Sequence, residues 1–142
     1  CAKTIAWNLI PKKVKDTIKK DWEDNGSWGI HVHCPEAATP KDGPSAGCAF
    51  TSCFISRILE KPIKNTVGMT GEIELNGRIT KIGGLEFKLQ GSKTAGVTNV
   101  FVPQENEDDL VEIKEKYKNL ITKDFCVKTF SNISEIIEEI LI

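Results

Sequence analysis

Apolar and polar positions along the chain change period several times, and each change marks an element. Ile5, Ala6, Ile10, Val14 and Ile18 recur at helical spacing between lysines, which predicts a helix over residues 2–22. Pro11 should kink or split it, because proline lacks the N–H that a helix interior needs. Asp24-Asn25-Gly26-Ser27 is a turn cluster. From Trp28 to Cys34 the period drops to two. Trp28, Ile30 and Val32 fall on one face and His31 and His33 on the other, the pattern of a strand. Residues 36–43 read as a loop. Residues 45–59 read as a helix, small and apolar nearly all round, and such a helix is expected at the centre of a core.

The second half is more sharply punctuated. Strand-like runs at 67–75 and 78–82 flank Asn76-Gly77, a strong signal for a hairpin with a two-residue type I′ turn. Gly83-Gly84 opens a helix over 85–95, which Gly96 closes. Residues 97–102 form a strand ended by Pro103. Residues 107–117 form a helix running from acidic to basic, which suits its dipole. A strand at 125–130 follows, then a helix at about 132–141 with Asn132 and Glu135 in capping-box spacing. The predicted order is α-β-α-β-β-α-β-α-β-α, an α+β domain without repeats or a low-complexity linker.

The chemistry concentrates in two places. Gly43-Pro44 marks a tight turn, and Pro44 suits the start of a helix. Ser45 then falls in the opening turn, near free backbone N–H groups and the positive end of the dipole. A serine so placed either caps the helix or acts as a nucleophile beside ready donors for an oxyanion. On the helix at 85–95, Lys88 shares a face with Leu85, Leu89 and Ser92. It is either a lysine that snorkels to water or a desolvated one with a lowered pKa, usable as a general base. In the second case the charged lysine would oppose folding, most strongly at low pH. Serine plus such a lysine is a known variant of nucleophile activation.

At 142 residues the chain is long enough for one domain with a real core. A net charge of −1 gives no sign of a surface for nucleic acid or anionic membrane, and no apolar run approaches a membrane span. The five cysteines are odd in number and lack a C-x-x-C, so they read as free thiols in a reducing compartment, cytoplasm or mitochondrial matrix. His31 and His33 could together hold a metal, but no third ligand stands at motif spacing, and no metal is expected. Without an initiator methionine or a signal peptide, the sequence reads as a piece cut from a longer protein.

The residues themselves carry a resemblance. HVHCPEAATPKDGPSAG (31–47) and MTGEIELNGRITKIGGLEFKL (69–89) resemble the two signatures of the proteolytic domain of the ATP-dependent Lon proteases. The similarity spans most of the chain and is strongest from Ile30 to Pro103. It implies a Lon-type α+β fold lacking the family's first strands, and a serine endopeptidase with Ser45 as nucleophile and Lys88 as base. It further implies that Thr70 bonds the lysine, that Asp42 and Gly43 shape the oxyanion turn, and that His31, His33 and Glu72 support the site. The partners implied are unfolded or damaged proteins and further copies of the chain, usually in a hexamer. No G-x-x-x-x-G-K-[ST] occurs, so ATP and Mg are expected only in a separate ATPase module. The sequence departs from the family at Glu86-Phe87, where Lys-Glu is usual, and at Ala37-Ala38. These departures motivate the rival reading, a folded assembly module with an impaired dyad.

Overall fold

Residues 1–33 and 43–142 are described in the computed structural model. Pro11 splits the first helix as expected. It separates α1 (Ala2–Leu9) from α2 (Lys12–Asn25) and precedes the first residue of α2. The strand expected from Trp28 is not formed: residues 28–33 are neither strand nor helix, and Cys34 lies outside the described residues. Trp28, Ile30 and Val32 instead lie close to Trp22 and to Phe54 and Ile58 of α3 (Gly47–Leu59), along one apolar groove. Alternation specifies a strand only where a neighbouring strand is present to pair with it, and among the described residues none pairs here.

The hydrophobic centre is a three-stranded parallel sheet ordered β1 (Val67–Met69), β4 (Asn99–Pro103), β5 (Cys126–Phe130). The middle strand is buried on both faces, as a central parallel strand must be. Val100 and Val102 pack on one side against Leu85, Leu89, Leu110, Ile113 and Phe125. Phe101 packs on the other against Phe130, Ile79, Ile133 and Ile140. The helices on the first side are α4 (Leu85–Thr94) and α5 (Glu107–Lys116). Asn132 and Glu135 form the expected capping box, but on a short 3-10 turn, Ile133–Glu135, which leads into α6 (Ile137–Ile140).

Two expectations are corrected in this region. The hairpin of β2 (Glu72–Ile73) and β3 (Ile79–Thr80) exists, but its turn is not type I′. The N–H of Gly77 donates to the carbonyl of Glu74, and that of Glu74 to the carbonyl of Arg78. Only Gly77, at φ +85°, is left-handed, and Asn76 is not. The loop is therefore three residues long, a type I turn followed by a glycine bulge. The extra residue keeps Ile73 opposite Ile79, both in the core. Helix α3 is likewise not buried all round. Cys48, Thr51, Ser52 and Ile55 face inward, while Phe50 and Cys53 are exposed. The inner face is lined by small residues because the hairpin comes close: a Cβ on Gly47 would lie 2.8 Å from Ile73 Cγ2.

Between hairpin and α5 sits a polar cluster. Glu105 accepts the Lys81 N–H at 2.9 Å and the Arg78 guanidinium, and these hold its carboxyl below the usual range. Asp109 is lowered by the Asn106 amide and by Lys81. Both groups bind protons more weakly folded than unfolded, so their contribution is complete above the unfolded values of about 4 and lost as pH falls below them. Thermal melts from pH 7 to pH 2.5 should show a modest fall from these groups below about pH 4, modest because both carboxylates are in contact with water. Glu105→Gln should flatten that acid limb, and an identical limb would show that the cluster is not coupled to folding. Among the described residues no helix is long and apolar enough to cross a membrane.

Candidate active site

Ser45 stands just before α3 rather than inside its first turn. The helix begins at Gly47, its N-cap position is Ala46, and no side chain caps it. The capping reading of Ser45 is thereby excluded. What holds the serine is its own backbone. Its carbonyl accepts the Gly71 N–H at 2.8 Å and the Thr70 hydroxyl at 3.3 Å, and the Gly71 carbonyl takes the Cys48 N–H at 3.2 Å. Gly43, at φ +83°, makes the preceding turn in a conformation that suits glycine. Among the described residues, neither the Ser45 nor the Ala46 N–H has a hydrogen-bond partner.

Helix α4 brings the second group. Its entry is fixed by Asn106, a fully buried side chain that bonds both the N–H of Ile82 (3.1 Å) and its carbonyl (2.9 Å). Gly84 at φ +67° turns the chain into the helix, and Leu85 and Leu89 bury its inner stripe. Lys88 lies at the edge of that stripe. Its Nζ donates to Ser45 Oγ at 3.3 Å, joining residues 43 apart in sequence. The desolvation expected from Leu85 and Leu89 is absent, because Lys88 is exposed. A long side chain leaving the border of an apolar stripe reaches water, as snorkelling predicts.

Ser45 and Lys88 line a cleft of about 300 Å³ whose walls include Ala46, Ala49, Met69 and Val100. Sequence reasoning missed these wall residues. The small residues Ala46 and Ala49, one helical turn apart beside Ser45, were the available signal. Met69 was not singled out either. It accepts the Ser52 hydroxyl at its sulfur, 3.3 Å away. Cys48, close by on α3, stays a thiol: burial pushes it up to about 12.

The remaining candidates are placed less centrally. Thr70 lines the cleft, but its hydroxyl goes to the Ser45 carbonyl, and the bond to Lys88 implied by the resemblance is not present. Glu72 is exposed on β2 and does not line the cleft. His31 and His33 are exposed and also stand outside it. Among the described residues no three metal-ligating side chains cluster. Asp42 lies outside the described residues. The four described cysteines are all free.

Thr70→Val tests the anchoring of the serine. Losing one hydrogen bond should cost about 1 kcal/mol of stability. If that bond holds the Ser45 turn, the rate at which a fluorophosphonate labels Ser45 should fall about tenfold, since small misplacements are costly. Thr70→Ser should retain both properties. An unchanged rate in Thr70→Val, measured beside its melt, would leave Thr70 with a structural part only.

Comparison with known proteins bears on the same residues. The family model of the Lon protease (S16) C-terminal proteolytic domain matches residues 2–142. A Lon protease homolog of Acanthamoeba polyphaga mimivirus is 45% identical over 139 residues, 98% of this chain and 13% of that protein. The Lon protease of Mesomycoplasma hyopneumoniae is 42% identical over 118 residues, 82% of this chain and 13% of that protein. A mitochondrial Lon protease homolog of Scheffersomyces stipitis is 51% identical over 89 residues, 63% of this chain and 8% of that protein. The chain thus spans only 8–13% of the length of these relatives. With Ser45 of one signature and Lys88 of the other at one cleft, and its family model matched over residues 2–142, this chain belongs to the Lon protease C-terminal proteolytic domain family.

Proposed function

We propose that the domain is a serine endopeptidase that uses a Ser45–Lys88 dyad. The observation that carries this reading is the 3.3 Å approach of Lys88 Nζ to Ser45 Oγ at the wall of a cleft. Ser45 Oγ attacks a peptide carbonyl as neutral Lys88 takes its proton. Lys88 then gives that proton to the leaving amine, and water releases the acyl group by the reverse sequence. The N–H groups of Ser45 and Ala46, without partners among the described residues, are the donors available to the oxyanion. Lys88 is exposed, and a peptide seated over the cleft covers it from water.

On this reading the natural substrates are unfolded or damaged proteins. They are delivered by a separate ATP- and Mg-dependent module in a homo-oligomeric ring, usually a hexamer, in a reducing compartment such as cytoplasm or mitochondrial matrix. The relatives named as Lon proteases support the peptidase part of this reading. A fluorophosphonate probe provides the test. Labelling should map to Ser45 and vanish in a Lys88→Ala variant. A folded protein that is not labelled at Ser45 would leave the assembly-module reading.

A further inference from the structure

Glu86 is on α4 but faces away from the cleft. Its carboxylate accepts the phenol O–H of Tyr117 and the ammonium of Lys116, the latter at 3.2 Å to Oε2. Both partners sit at the C-terminal end of α5. They hold the Glu86 carboxyl below the usual range, Tyr117 contributing most, so it is ionised at neutral pH. Seven residues on, Lys93 Nζ donates to the carbonyls of Asn119 and Leu120, each at 2.7 Å. At about 100° per residue, Glu86 and Lys93 stand within about 20° of each other around the helix. Lys88 and Ser92 lie on the opposite flank, across the stripe of Leu85 and Leu89.

This arrangement divides the work of holding α4. The leucine stripe packs into the cluster that includes Leu110 and Ile113. Apolar burial turns the leucine face of α4 inward but, being non-directional, sets its roll only coarsely. The polar bonds at the two ends of α4 set it more finely. A roll of ~20°, at a side-chain radius of ~5–6 Å, moves a group on the far flank by about 2 Å. The contact of Lys88 Nζ with Ser45 Oγ is already 3.3 Å, so such a roll breaks it.

We infer that Glu86 is a positioning residue: its bonds to Tyr117 and Lys116 fix the roll of α4 that presents Lys88 to Ser45. The inference rests on the Ser45–Lys88 reading and adds a residue that never touches substrate. It also gives physical content to the departure at Glu86, where a lysine is usual in the family. A lysine there could not accept the ammonium of Lys116.

The experiment uses the intact protein with a fluorogenic peptide, at a temperature well below the melt. Glu86→Ala should lower kcat about 100-fold, as expected for a misplacement of ångström size. KM should stay within about twofold, and the rate of fluorophosphonate labelling at Ser45 should fall in parallel. Glu86→Gln keeps an acceptor for Tyr117 and should recover at least about tenfold of the loss, an amount a single positioning bond readily accounts for. Circular dichroism checks that both variants are folded. The inference is overturned if Glu86→Ala keeps kcat within about threefold, or if Glu86→Gln is as slow as Glu86→Ala. Lys88→Ala run alongside separates the two levels. If it is inactive while the Glu86 variants are fast, the dyad stands and the positioning role falls. If Lys88→Ala is itself active, both fall.

Discussion

Ser45→Ala should reduce peptide hydrolysis to a trace while leaving the fold intact. Loss of a nucleophile costs on the order of 10³-fold or more, and the remainder comes from binding and oxyanion donors. The structure gives the reason why stability should barely change. The side chain of Ser45 contacts Lys88 and caps nothing. The bonds that hold the turn, from Gly71 N–H and the Thr70 hydroxyl, go to the Ser45 carbonyl, which alanine keeps. Denaturant melts should therefore agree within about 0.5 kcal/mol. Casein or peptide cleavage by the two proteins side by side is the measurement. Activity retained by a clean Ser45→Ala preparation would remove Ser45 from the mechanism.

Lys88→Met should be inactive too, with a loss of roughly 10²–10⁴-fold, the range of a general base. Its stability separates this structure from the expectation drawn from sequence. A lysine buried beside Leu85 and Leu89 would oppose folding while charged, and its replacement would stabilise the protein most at low pH. Lys88 is exposed, so the substitution should change stability by no more than about 0.5 kcal/mol at any pH from 6 to 9. Lys88→Arg keeps the charge but cannot give up a proton, and it should be as inactive as the methionine variant. Hydrolysis preserved in the arginine variant would mean that the site needs a cation and not a base.

Some of this protein was legible in its sequence because it depends on neighbours along the chain. Pro11 breaks a helix for local reasons. Asn132 and Glu135 close their box within a single turn. Gly84 and Gly96 bound α4 with left-handed backbone. The same local spacing put Lys88 on one face with Leu85 and Leu89, though the structure leaves it exposed at the border of that stripe, and the two signatures were enough to name the family. The proximity of Ser45 and Lys88 followed only from that resemblance, since no spacing rule joins residues 43 apart.

Other features were decided by the tertiary structure. The type of the hairpin turn follows from the need to keep Ile73 opposite Ile79 in the core. The sidedness of α3 follows from the hairpin pressing on Gly47. Trp28, Ile30 and Val32 alternate like a strand, but no strand pairs with residues 28–33 among the described residues. The exposure of Lys88 is set by where the wall of the cleft ends, and the anchoring of Ser45 by two residues of a distant strand connection. In each case the outcome depends on what packs against the segment. A pattern of side chains states which face wants burial, and only the assembled fold supplies the surface that buries it.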